Sequence, residues 1–154
     1  MNEIISLSQK RSEKIRSIFS MGYTCSESII LSYADTVGFD RDTALKMSCG
    51  LSGGLAQGKT CGAVVAAFMI ISYKYSSGEP EDIFSRDLIY QIIQEFTHQF
   101  VVKNNSIECK EILLNNSIDF TNPDEMKNLR EKGVCGLIIE NAAELLGEIL
   151  EQEF

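Results

Sequence analysis

Five cysteines are the residues of this 154-residue chain best equipped for chemistry: Cys25, Cys49, Cys61, Cys109 and Cys135. A thiolate is a soft ligand for iron, zinc or copper, and it is the nucleophile of thiol–disulfide exchange. No two of the five form a CxxC pair, so the zinc-ribbon, ferredoxin and thioredoxin spacings are all absent. Position says more than spacing. Cys25, Cys61, Cys109 and Cys135 each fall in the first turn or so of a helix predicted below, whereas Cys49 falls at the end of one. Helix-start amides and the macrodipole favour negative charge, so thiols placed there are expected to ionise more easily. Four such starts converging on one spot would make a polar pocket of four sulfurs. The competing reading treats cysteine as a small buried hydrophobe. Applied to all four, it leaves a non-enzymatic helical interaction domain with buried structural thiols.

The elements that must position these residues are helical almost throughout, because the apolar residues recur at the 3.6-residue period. A first helix is predicted over 4–19, with Ile4, Leu7, Ile15, Ile18 and Phe19 on one side and Gly22 after it. A second starts near Thr24 and stops at Gly38, burying Ile29, Ile30, Tyr33, Ala34 and Val37. Asp40 is a suitable N-cap for a third over 41–49, since its carboxylate can accept the free amides of the first turn. Gly50, Gly53, Gly54 and Gly58 then crowd into nine residues and predict a loop with unusual dihedrals. Thr60 is expected to cap a fourth helix reaching Tyr75. That helix is apolar all round and so belongs at the centre of the fold. A fifth helix is predicted over 81–102, with Leu88, Ile89, Ile92, Ile93, Phe96 and Phe100 as its core stripe. A short one follows over 107–114, then one opened by Asn122-Pro123 and closed by Gly133. The last covers 134–152, with Leu137, Ile138, Ala142, Leu145, Leu146 and Ile149 inward. No window alternates with period two. The expectation is therefore an all-α, single-domain bundle over 1–154, with six to eight helices around a central apolar helix at about 60–75.

Composition narrows the partners. Fourteen Lys+Arg against 22 Asp+Glu give a formal net charge of −8. Such a chain lacks the phosphate-neutralising patch on which nucleic-acid binding depends, and an anionic membrane surface would repel it. The N-terminus has no basic region followed by an apolar run, and the longest nonpolar stretch, 61–71, is too short to span a bilayer. A cytoplasmic setting is expected, where thiols stay reduced and serve as ligands or redox groups more often than as staples.

The run Gly53-Gly54-Leu55-Ala56-Gln57-Gly58-Lys59-Thr60-Cys61-Gly62-Ala63-Val64-Val65-Ala66-Ala67 resembles the C_GCAxxG_C_C family of redox-active proteins. Cys61, Gly62 and Ala63 match the family's Cys-Gly-Ala core, and Ala66 stands where the family has its final glycine. The other family cysteines look like Cys25 in Gly-Tyr-Thr-Cys-Ser-Glu-Ser, Cys109 in Glu-Cys-Lys-Glu-Ile-Leu-Leu and Cys135 in Val-Cys-Gly. The likeness covers about residues 20–150. It implies redox chemistry at Cys25, Cys61, Cys109 and Cys135, through a [2Fe–2S] cluster or another thiolate-bound metal that transfers electrons, or through disulfide exchange with a redox partner protein. A homo-oligomer is left open.

Gly53, Gly54, Gly58 and Gly62 are expected to line such a site with backbone amides. Cys61, beside the glycine loop and at the head of the most apolar helix, is the thiol expected to matter most; Cys49 stands outside the set. A lesser alternative is nucleotide binding, since residues 53–60 satisfy the Gly-x-x-x-x-Gly-Lys-Thr pattern, with Lys59 and Thr60 as its carriers. It lacks the preceding strand and the βαβ frame that such a loop requires. His98 is expected to face solvent.

Overall fold

A computed structural model describes residues 7–154 and contains eight α-helices, with no strand among the described residues. They are α1 (Leu7–Ser20), α2 (Cys25–Val37), α3 (Arg41–Ser48), α4 (Gly62–Tyr75), α5 (Ile83–Asn104), α6 (Cys109–Asn115), α7 (Pro123–Lys127) and α8 (Val134–Leu150). The part of the first predicted helix that includes Ile4 lies outside the described residues.

Local chemistry sets most boundaries. Thr24 and Glu27 form a reciprocal capping box at the start of α2, and Gly38 closes that helix in the left-handed region. Asp40 accepts the Thr43 amide at the start of α3, and Asp82 does the same for Ser85 at α5. The segment after Pro123 is shorter than expected. α7 ends at Lys127, and a 3-10 turn over Leu129–Lys132 leads to Gly133.

Helix α4 packs against α2, α5 and α8, so it is central as its composition requires. Ala63, Val64, Ala66, Ala67, Ile70 and Ile71 are fully buried, while Val65, Phe68 and Met69 keep partial exposure along a shallow groove. Phe96 and Phe100 of α5 are fully buried, as are Ile29 and Ile30 of α2 and Leu145 and Leu146 of α8. Two inward assignments fail: Leu7 and Leu137 are exposed. Leu7 is the first and Leu137 the fourth residue of its helix.

Thr60 does not cap α4. Its hydroxyl donates to the Glu108 carboxylate, and Cys61 is the capping residue, with no side-chain cap bond. The reason is a non-local pairing. Thr60 and Glu108 form an isolated antiparallel bridge in which the Cys61 amide donates to the Ile107 carbonyl and the Cys109 amide to the Lys59 carbonyl, both at 2.7 Å.

Candidate functional site: four thiols around one apolar cavity

That bridge places two of the cysteines. In extended backbone, successive side chains point to opposite sides. Thr60 and Glu108 meet on one side, so their neighbours Cys61 and Cys109 turn to the other, which is a cavity. Cys25 reaches the same cavity from the first residue of α2, and Cys135 from the second residue of α8. The cavity has a volume of about 260 Å³, and all four cysteines line it. Cys49 is exposed and takes no part in it.

Gly62 explains how closely the α2 and α4 starts approach. A Cβ there would stand 2.8 Å from the Cys25 sulfur, 2.8 Å from the Leu51 carbonyl oxygen and 2.9 Å from the Ser52 Cα. Only a glycine lets Cys25 lie against the backbone next to Cys61. The Ala63 amide bears on both the Cys25 and the Cys61 sulfur, and the Gly53 amide bears on Cys25 as well. Of the glycines singled out from the sequence, Gly53 and Gly62 line the cavity, whereas Gly54 and Gly58 are not among its lining residues. Gly54 instead packs under Cys109, where a Cβ would come within 2.7 Å of the Cys109 Cβ, and Gly58 lies against Phe120 and Lys110.

The loop that carries these glycines is strained. Gly53, Gly54, Leu55 and Ala56 all have φ near +60°, with values of 63°, 62°, 60° and 58°. Four consecutive left-handed residues make one turn of the wrong hand for L-amino acids, at about 1–2 kcal/mol for each residue bearing a Cβ. The turn is closed by the Lys59 amide donating to the Gly54 carbonyl. This is not a phosphate cradle. No strand precedes it among the described residues, and the Thr60 hydroxyl is taken by a carboxylate.

The thiols are not the acidic groups that their helix-start positions suggest. Burial pushes Cys109 up to about 11 and Cys135 up to about 12, and it raises Cys25 and Cys61 too. Desolvation outweighs the helix-start amides, because removing a charge from water costs more than one turn of oriented dipoles returns. The sulfurs also feel one another: charge on Cys25 would oppose charge on Cys61, Cys109 and Cys135. Amides of Gly53, Ser26, Ala63 and Cys25 itself offset part of the rise at Cys25. Burial therefore favours the neutral thiol at all four positions.

The rest of the lining is apolar rather than polar. Phe19, Ile112, Leu113, Ile138 and Ile139 form the wall. One further contribution has no counterpart in the sequence reading. Met126 and Lys127 of α7, with Leu129 and Arg130 of the turn after it, cover one side of the cavity. Arg130 fastens this cover. It donates to the Phe19 carbonyl and, at 2.8 Å, to the Tyr23 carbonyl, and its guanidinium carbon lies 3.9 Å from the centroid of the Phe19 ring. Met126 and Leu129, three apart in an otherwise charged segment, were the available sequence signal. His98 is exposed and remote from the lining.

Four cysteines are the right kind of donor for an iron–sulfur cluster. Among the described residues, no group of three or more Cys, His, Asp or Glu side chains stands close enough together to hold a metal ion.

A family model described as "Putative redox-active protein (C_GCAxxG_C_C)" matches residues 23–149, a span that holds all five cysteines. The chain belongs to that redox-active family. No curated protein and no solved structure matches it. No helix among the described residues is long and apolar enough to cross a membrane.

Proposed function

We propose that this is a dithiol–disulfide redox protein in which Cys25 and Cys61 form the working pair. The observation that carries this reading is their shared surroundings: one amide, that of Ala63, bears on both sulfurs, and the absent Gly62 side chain lets them approach. Cys25 is half-buried and more accessible than the buried Cys61, so Cys25 attacks first and Cys61 resolves.

The exchange balances with a disulfide as electron acceptor. The Cys25 thiol loses its proton, and its sulfur attacks one sulfur of the acceptor. That bond breaks, and the leaving sulfur takes up a proton. The Cys61 sulfur, losing its own proton, then attacks Cys25 in the mixed disulfide and releases the second thiol, which is likewise protonated. The protein gives up two electrons and two protons, and the acceptor receives them. Cys109 and Cys135 line the same cavity and respond electrostatically to charge on Cys25. In a reducing cytoplasmic compartment the resting form is the dithiol.

The test is peptide mapping after mild oxidation. A Cys25–Cys61 linkage is expected. Cys61→Ser is expected to accumulate a mixed disulfide on Cys25, and Cys25→Ser to form neither product. Iron and acid-labile sulfide in stoichiometric amount after anaerobic purification would replace this reading with a cluster. Four thiols that stay unoxidised and resist alkylation of the folded protein would leave the structural-thiol reading.

A further inference from the structure

The cavity carries charge as well as sulfur. In a chain with eight more acids than bases, the two ionisable groups other than thiols that line it are both cations, Lys127 and Arg130. Neither is paired with a carboxylate among the described residues. The ion pairs lie elsewhere, on Arg11, Arg16 and Lys46. Arg130 spends its hydrogen bonds on two backbone carbonyls, which leaves its charge uncompensated. Lys127 is exposed, and its side chain makes no hydrogen bond or ion pair among the described residues. Arg130 also bears electrostatically on Cys135, so the positive end of the cavity reaches its sulfurs.

Size and access bear on the same question. At about 260 Å³ the cavity falls near the lower limit of the range for small-molecule sites, roughly 300–1,000 Å³. The resolving thiol, Cys61, is only 6% exposed, and Met126 and Leu129 roof part of the space. The cavity opens to solvent on one side, and a disulfide carried on another protein's backbone would have to fit that backbone into the same small opening to reach Cys25. A free small molecule would not. The apolar wall suits short aliphatic arms, and the two cations suit an anionic group at the end of one.

We infer that the substrate is a low-molecular-weight aliphatic disulfide bearing a carboxylate, held with its anionic end at Lys127 and Arg130 and its sulfur–sulfur bond facing Cys25. This rests on the dithiol reading above and adds the identity of the acceptor. Reduction follows the balance already given: one substrate disulfide becomes two thiols, at least one of which carries the carboxylate, and Cys25 and Cys61 become the protein's disulfide.

Three probes of similar size separate the two claims: dithiodipropionate (anionic), hydroxyethyl disulfide (neutral) and cystamine (cationic). The rate of Cys25–Cys61 disulfide formation is read by alkylation and mass. The anionic probe is expected to react about tenfold faster than the neutral one, and the cationic probe slowest, with the spread shrinking as salt is added. Lys127→Glu should abolish the anionic advantage, read as the ratio of the anionic to the neutral rate within the same variant; its side chain is exposed and makes no hydrogen bond or ion pair among the described residues, so the fold does not depend on it. Oxidation of the pair by the neutral probe, with no charge order among the three, would overturn this inference and leave the dithiol reading standing. Failure of all three probes to form the Cys25–Cys61 bond would overturn both. A disulfide-bonded protein that reacts faster than every small probe would overturn the substrate class alone.

Discussion

Where α1 meets the end of α8, side chains make the connection; at the beginning of α8, around Cys25 and Cys61, the backbone makes it. Near the C-terminal end, Arg11 is ion-paired with Glu144 and Glu151, and the Tyr33 hydroxyl donates to the Ala143 carbonyl at 2.5 Å. Near the thiols, the Thr60–Glu108 bridge, the left-handed turn at 53–56 and the bare Gly54 and Gly62 do the work. Side-chain links tolerate trimming, because neighbours and water can adjust. Backbone packed on backbone has nowhere to move. The two regions should therefore respond very differently to substitution, and that difference can be tested.

The largest loss is expected from Gly54→Ala. Its φ is +62°, and the new Cβ would stand 2.5 Å from the Lys59 carbonyl oxygen, 2.6 Å from the Lys59 nitrogen and 2.7 Å from the Cys109 Cβ. The left-handed residue costs about 1–2 kcal/mol and the overpacking about 1–3 kcal/mol more, since two of the three obstacles are backbone. Gly62→Ala meets the same kind of wall without the dihedral cost. Urea unfolding should rank Gly54→Ala below Gly62→Ala and both below the parent. A shift in midpoint no larger than that of a surface substitution would show that the loop is not the rigid frame described.

The thiols sharpen the comparison through pH. Each of the four has its folded pKa raised by burial, so the folded state favours the neutral thiol more than the unfolded chain does. The associated stability is complete below the ordinary thiol value of about 8.5. It is lost as pH rises through the folded values, about 11 for Cys109 and about 12 for Cys135. Alkaline unfolding should therefore begin between pH 9 and 11 and should be delayed in Cys135→Ala. Alkylation at pH 8 should modify Cys49 first, since it is the exposed cysteine. If Cys135 reacts as fast as Cys49 in the folded protein, the cavity is open in solution and the neutral-thiol picture fails.

The same contrast separates what could be read from the sequence from what could not. The start of α2 near Thr24 and the capping of α3 by Asp40 were legible because the partners of each lie within three residues. The buried stripes on α2 and α5, and that on α8 apart from Leu137, followed from periodicity for the same local reason. Thr60 was misread as a cap because its true partner, Glu108, lies 48 residues away. The acidity expected of the helix-start thiols came out reversed. A dipole argument is local, whereas burial is set by α6, α7 and α8 closing over the cavity. Four cysteines of one cavity were recognisable together through the family-like contexts of Cys25, Cys61, Cys109 and Cys135. The cover carrying Met126, Lys127, Leu129 and Arg130 was not, because Arg130 finds its partners only at Phe19 and Tyr23 of a distant turn.

The side-chain end should yield more gently. Tyr33→Phe removes one donor to the Ala143 carbonyl and should cost about 1 kcal/mol, as for an ordinary buried hydrogen bond. Arg16→Met, which removes the more exposed ion pair to Glu140 of α8, should cost no more than about 1 kcal/mol. A loss from either variant as large as that from Gly54→Ala would erase the distinction between the two regions.

The smallest effect has the opposite sign. Ala56 has φ 58° and ψ 17°, a conformation that glycine adopts freely and alanine adopts only at a cost. Ala56→Gly relieves about 1–2 kcal/mol of left-handed strain. It also loosens the unfolded chain, which costs about 0.4–1 kcal/mol of the gain. Strain relief is the larger of the two, so a net stabilisation of up to about 1 kcal/mol is expected. Position 56 is not among the residues lining the cavity, so the Cys25–Cys61 exchange rate should not change through lost contacts. Should stability rise while exchange slows, the left-handed turn would have a mechanical part in presenting Gly53 to Cys25. A drop in stability would mean that Ala56 makes contacts worth more than its strain, and the turn would no longer count as a strained element of the site.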